Sequence, residues 1–178
     1  MKSVTDQQTL LDLEFDKILD WCAEYALSES TKSRILKLVP ISHYEILAEQ
    51  LNQIEELTNI KEGEKGFPLL EFENLESELR LLKIKNAVVP LSGILNIHQA
   101  SYLVNQILSF FERSIGSYPC LEDVLKDVYQ TLDIIAPIEK VIDKTGQIKD
   151  TASPELKSIR DAIRRTQRQL KKNFDKEL

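Results

Sequence analysis

A chain of 178 residues with 42% hydrophobic and 29% charged side chains can bury one core and is too apolar for a disordered tail. Its 23 basic and 29 acidic residues leave a net charge of −6, so the chain as a whole repels nucleic acid rather than attracting it. The start MKSVTDQQTLLDL has no apolar core of a signal peptide, and no apolar run approaches the ~20 residues of a membrane span; a cytoplasmic protein without a membrane partner is expected.

Leu13, Phe15, Ile18, Leu19, Cys22, Tyr25 and Ala26 recur at helical spacing, which predicts a first helix from about Asp12 to Ala26 with Trp21 on its flank. Ser28 is placed to cap a second helix carrying Ile35, Leu36 and Leu38, which must stop before Pro40. Ser42 can cap a third, with Ile46, Leu47, Leu51, Ile54, Leu57 and Ile60 as its buried face and Gly63 and Gly66 as its end. GEKGFP reads as a turn, and Phe67, Leu69, Leu70 and Phe72 as a short extended segment. A short helix over about 75–84 follows, then a break at KNAVVPLSG with Val88 and Val89 anchored in the core.

The next helix is long, about 93–114, with a face of Leu95, Ile97, His98, Tyr102, Leu103, Ile107, Leu108 and Phe111. Tyr118-Pro119 opens another, carrying Leu121, Val124, Leu125, Val128 and Leu132, and Pro137 opens a last short one ending near Ile142. In DKTGQIKD, Gly146 permits a tight turn and Ile148 pins the return strand of a small hairpin.

That hairpin feeds the stretch from Asp150 to Leu178. Ser153 is an N-cap, Pro154 occupies the first helical position and Glu155 meets the positive end of the helix dipole. Leu156, Ile159, Ile163, Leu170 and Phe174 form one narrow apolar stripe, so a single long helix with a coiled-arm pattern is predicted. From Glu155 onward there are eight basic residues (Lys157, Arg160, Arg164, Arg165, Arg168, Lys171, Lys172 and Lys176) against four acidic ones, a net of +4. The rest of the chain carries 15 basic and 25 acidic residues. The predicted fold is therefore all-α: a compact multi-helix body over 1–149, and a small hairpin leading into one long projecting helix over 150–178.

Residues for catalysis are scarce. His43 and His98 are the only histidines, and with Cys22 and Cys120 they show no metal-ligand spacing; the two cysteines read as buried, unpaired thiols. GEKG lacks the spacing of a phosphate loop, and no GxSxG or HExxH occurs. No catalytic, cofactor or metal residue is assigned. The candidate nucleic-acid contacts are Arg164, Arg165, Arg168, Lys171 and Lys172, whose charges could neutralise phosphates; the competing reading is a solvated face that pairs with a partner helix. Asp150, Ser153 and Pro154 are the candidate hinge.

LEFDKILDWCAEYALSESTKSRILKLVP, FPLLEFENLESELRLLKIKNAVVPLSGILNI and above all DKTGQIKDTASPELKSIRDAIRR resemble the N-terminal region of the bacterial MutS-like proteins of the second branch. These are the recombination-suppressing relatives of the mismatch-repair ATPase. The glycine pair that many relatives carry after FPL is missing here. The resemblance implies a non-catalytic core and lever segment of a DNA-binding, DNA-repair and recombination-control protein. Its parent would bind ATP and Mg, dimerise, act on branched or duplex DNA through a clamp, and carry an endonuclease domain; this segment itself would hold no cofactor. Association with the ribosome or its RNA is a further implied partner. Phe110-Phe111-Glu112 formally fits the Phe-x-Glu mismatch-wedge pattern, but it falls in a predicted core helix and Phe111 is needed for that helix's apolar stripe. The alternatives to a lever segment are a stand-alone helical module that dimerises through Leu156, Ile163, Leu170 and Phe174, and a part of a ribosome-associated quality-control factor.

Overall fold

The computed structural model describes residues 6–63 and 66–177, the side chains of 176 and 177 excepted. The opening MKSVT, the turn residues Glu64 and Lys65, and the terminal Leu178 lie outside the described residues. Among the described residues every regular element is a helix, apart from one antiparallel bridge between Ile142 and Ile148; the chain is all-α. Its contacts divide it into two units, one up to Thr131 and one from Leu132 onward. The division falls before the last short helix, so that helix and the hairpin group with the long helix rather than with the body.

The first unit holds α1 (Gln7–Asp12), α2 (Phe15–Glu24), α3 (Glu29–Ile35), α4 (Tyr44–Gly63), α5 (Glu76–Leu82), α6 (Leu91–Arg113) and α7 (Pro119–Leu125). Where one first helix is predicted there are two. Asp6 starts α1 early by accepting the Thr9 N–H at 2.8 Å, and Glu14 adopts a left-handed φ of 54°, which interrupts the ladder before α2. The predicted face is not a buried one: Leu13, Ile18, Trp21, Cys22 and Tyr25 are exposed, and Ala23 is the buried residue of α2. Ser28 does cap α3, accepting the Thr31 N–H at 3.2 Å, but Leu36 and Leu38 remain exposed.

The core forms where α4, α6 and α7 meet. Ile60 has no exposure at all and packs with Phe110 and Phe111, supported by Phe67, Ile107, Tyr118, Leu121 and Leu125. Phe110 makes edge-to-face contacts with Phe67 at 5.1 Å and with Phe111 at 5.4 Å. Phe110 and Phe111 are thus core residues, and the formal Phe-x-Glu match is packing. Only the far end of α4 is used in this way. The helix starts at Tyr44, later than a Ser42 cap requires, and Leu47, Leu51 and Ile54 of its predicted face are exposed.

Two polar devices fix the neighbours of the core. The Glu56 carboxylate of α4 accepts the N–H of Cys120 at 3.1 Å and of Leu121 at 2.9 Å, capping α7 from outside. Gly93 lets α5 and α6 approach: a Cβ there would sit 2.9 Å from Glu78 Cγ and 3.0 Å from Val89 Cγ1. Glu78 is buried and accepts the Ser77 hydroxyl at 2.6 Å, and that bond holds its pKa below the ordinary glutamate value. Val89 is half-buried, but Val88, predicted as a core anchor, is 84% exposed.

α7 stops at Leu125, short of Val128 and Leu132, and these two and Val124 are exposed rather than part of one buried face. The chain is then held at Thr131, whose N–H and hydroxyl donate to Asn105 Oδ1 at 2.8 and 3.2 Å, the hydroxyl also reaching Ser101 O at 3.0 Å. α8 (Leu132–Val141) starts directly after this clasp, so Pro137 lies inside the helix instead of opening it; the proline has no N–H for the Asp133 carbonyl. α9 (Pro154–Glu177) completes the second unit.

Candidate nucleic-acid interface and the root of the arm

The second unit is built on one short turn. Asp143 Oδ1 accepts the Thr145 hydroxyl at 2.7 Å, the Thr145 N–H at 2.8 Å and the Gln147 N–H at 3.0 Å. Those bonds, the hydroxyl first, hold the Asp143 carboxyl below the usual carboxylate range. Gly146 takes φ 79°, the left-handed conformation the turn needs. Backbone bonds from Asp143 N to Gln147 O and from Lys149 N to Val141 O, both 2.8 Å, close the predicted hairpin around the Ile142–Ile148 bridge. The Lys149 ammonium also donates to the Glu139 carbonyl, which ties the hairpin to α8.

The exit from this hairpin is fixed by Ser153 and Asp150. Ser153 Oγ accepts the Leu156 N–H at 3.1 Å, its carbonyl accepts the Lys157 N–H at 3.1 Å, and Pro154 is the first residue of α9. Glu155 has a lowered pKa because its own backbone N–H, and then the Ser153 hydroxyl, bond to it. Asp150 sits between two arginines of α9. Its Oδ1 accepts from Arg160 Nη1 and its Oδ2 from Arg164 Nη2. Arg160 Nη1 also donates to the Ile148 carbonyl at 2.9 Å, and Arg164 Nη1 to Asp161 Oδ1 at 3.3 Å. Arg164, followed by Arg160, depresses the Asp150 pKa, and Asp150 raises that of Arg164 in return.

The residues expected to contact nucleic acid divide into two kinds. Arg164 is engaged by two aspartates, and Arg165 donates from Nε to the Asp161 carbonyl at 3.3 Å. Arg168, Lys171 and Lys172 are exposed and make no ion pair among the described residues. Lys157, Arg160, Arg164, Arg168 and Lys171 follow one another at steps of three and four, so they line one face of α9. The apolar stripe lies beside that face. Of that stripe Leu156 is half-buried, while Ile159, Ile163, Leu170 and Phe174 are each at least 50% exposed.

The role of Asp150 as a two-headed acceptor was not read from the sequence. The signal for it was present: Arg160 and Arg164 stand two and three turns above the Ser153 cap, and the residue that ends the hairpin is a carboxylate. No group of three or more histidine, cysteine, aspartate or glutamate side chains is arranged to hold a metal among the described residues. No described helix is long and apolar enough to cross a membrane.

Among the described residues the elements are helices, and within the second unit a hairpin is bonded to the first turns of a long basic helix. Over nearly its whole length the chain is similar to one segment of proteins named Endonuclease MutS2. It is 31% identical over 173 residues to Endonuclease MutS2 of Aquifex aeolicus (strain VF5), an alignment covering 95% of this chain and 22% of that protein. It is 30% identical over 185 residues to Endonuclease MutS2 of Carboxydothermus hydrogenoformans, covering 97% of this chain and 22% of that protein. With Endonuclease MutS2 of Caldicellulosiruptor bescii the identity is 29% over 168 residues, covering 93% and 21%. The chain thus spans about a fifth of the length of the curated relatives it matches. No family model matches it.

Proposed function

We propose that this chain is a non-catalytic core and lever segment of a MutS2-like DNA-binding ATPase and endonuclease, in which α9 transmits motion and its basic face meets nucleic acid. The observation that carries this reading is the bracing of the arm's root. Asp150 bonds Arg160 and Arg164, Arg160 bonds Ile148, and Ser153 caps the first turn, so the hairpin and the first turns of α9 form one piece. A helix held in this way carries a displacement at its base to its far end; one held only by a flexible linker does not. In the complete protein, ATP and Mg would act in the motor, and the arm would lead to a clamp on branched or duplex DNA. The names of the relatives support an enzymatic parent, while this segment contributes position.

The test is Ser153→Ala combined with Pro154→Gly in the complete protein. Loosening the cap should lower nucleic-acid-stimulated ATP hydrolysis and leave basal hydrolysis intact. Unchanged stimulation would remove the hinge from the coupling pathway. A second reading, an interaction module that pairs through α9, is favoured by the exposure of Ile159, Ile163, Leu170 and Phe174. Sedimentation of this chain decides it, because a monomer at tens of micromolar leaves no role for a homodimer seam.

A further inference from the structure

We infer that Asp150 is an internal competitor for the phosphodiester backbone of duplex DNA: a polyanion lying on the basic face of α9 takes Arg164 from Asp150, and that exchange removes one of the two arginine contacts that latch α9 to the hairpin. The inference rests on the reading that this face meets nucleic acid, and it adds a form of regulation to it.

The two arginines under Asp150 are not equivalent. Arg160 has a second acceptor on the hairpin, the Ile148 carbonyl at 2.9 Å, and stays anchored there if its aspartate partner changes. Among the described residues Arg164 reaches the hairpin only through Asp150; its other ion-pair partner, Asp161 at 3.3 Å, belongs to α9 itself. Arg164 is also the more accessible of the pair, its side chain being 49% exposed against 35% for Arg160. If Arg164 leaves, Asp150 retains Arg160, so neither a charge nor a buried polar group is stranded.

Position supplies the competing ligand. Arg168 lies one turn beyond Arg164 on the same face, with Lys171 beyond it, and neither is ion-paired among the described residues. A phosphate backbone bound at those two cations continues along the stripe to Arg164. A phosphate accepts from a guanidinium with the same fork geometry as a carboxylate, so the exchange replaces one charge-assisted contact by another of similar strength. With the two contacts nearly balanced, the local density of phosphates sets the outcome. Occupancy of the basic face then controls the Arg164–Asp150 ion pair that holds α9 to the hairpin.

The experiment measures binding of a short fluorescein-labelled DNA duplex to this chain by anisotropy at low salt. Asp150→Asn keeps the shape and an acceptor for Arg160 but removes the competing charge. It should tighten binding by roughly tenfold, the order of one charge-assisted contact. The gain should vanish in Asp150→Asn with Arg164→Gln. In the unmodified chain, added duplex should move the Asp150 carboxyl ¹³C titration toward the ordinary aspartate range. If Asp150→Asn binds no tighter than the unmodified chain, or the gain survives loss of Arg164, the latch is overturned. Arg168→Ala with Lys171→Ala and Lys172→Ala reports separately on the face itself. Full binding by that triple variant would overturn the nucleic-acid reading and the latch with it. Lost binding in the triple variant together with an inert Asp150→Asn would overturn the latch alone. Far-UV circular dichroism of each variant shows that α9 is intact.

Discussion

Glu56→Ala isolates the contact through which α4 caps α7. The carboxylate accepts the Cys120 and Leu121 N–H groups at 3.1 and 2.9 Å, and Tyr118 supplies no side-chain cap of its own. Losing a helix cap costs ~0.5–2 kcal/mol, and hydrogen bonds to a charged acceptor contribute ~1.5–3 kcal/mol each. Water reaches these half-buried amides and restores part of the loss, so ~2 kcal/mol is the expected destabilisation. With a urea m-value of ~2 kcal/mol/M, the unfolding midpoint should fall by ~1 M. Glu56→Gln keeps one oxygen acceptor and should lose about half as much. The same substitution has an independent readout at Cys120, whose thiol pKa is pushed up first by burial and then by the hydrogen bond and charge of Glu56. The thiolate is the reactive form, so Glu56→Ala should speed the reaction of Cys120 with a disulfide reagent, while the exposed Cys22 serves as an internal reference. An unmoved midpoint with an unchanged Cys120 rate would refute the assignment of Glu56 as the cap.

Phe110→Ala should cost ~3–5 kcal/mol in a urea titration, as a core truncation does, and the folded fraction should bind duplex DNA as before; selective loss of mismatch binding would contradict its place in the core. Gly93→Ala gains ~1 kcal/mol of helix propensity but meets Glu78 Cγ at 2.9 Å, an overpacking cost of ~1–3 kcal/mol, so it should destabilise; Gly63→Ala, with nothing within 4 Å, should be neutral or stabilising, and like signs for the two would undo the close-approach account. Asp143 and Asp150 both have depressed pKa values, so their stabilisation is present above the unfolded carboxylate value of about 3.9 and is lost as pH falls through the folded values. Amide protection of Gln147 and of the first turns of α9 should therefore be level between about pH 7 and pH 5 and decline below about pH 4; a decline already complete at pH 5 would point to other groups.

Local signals were legible and long-range cover was not. The caps at Ser28 and Ser153, the turn at Gly146 and the start of α7 at Pro119 follow from the chemistry of one or two residues, and each appears where that chemistry requires. The face of α4 shows the limit. Leu47, Leu51, Ile54 and Ile60 have the spacing of one buried stripe, yet only Ile60 is covered, because burial depends on what meets the stripe and periodicity says only that something could. Pro137 misled for a related reason. Proline is commonest at the start of a helix, but the Thr131–Asn105 clasp sets where α8 begins, and the two residues lie 26 positions apart. At the arm root, the basic residues were visible as a cluster. Their division into engaged and unengaged cations was not, since it depends on a carboxylate placed 10 and 14 residues away by the hairpin.

The Asp150 fork also bears on how α9 comes to exist as a helix. Beyond Arg164 the helix runs from Arg165 to Glu177, thirteen residues exposed on every side for as far as their side chains are described. A segment of that length is at the margin of stability in water, where forming the first turn is disfavoured by about a thousandfold. The cap at Ser153 and the arginines gripped by Asp150 supply that first turn ready-made. The outer arm therefore needs only to propagate, residue by residue, and its helicity is governed from its base. A weakened fork would be felt as fraying at the tip before anything at the root is seen to move.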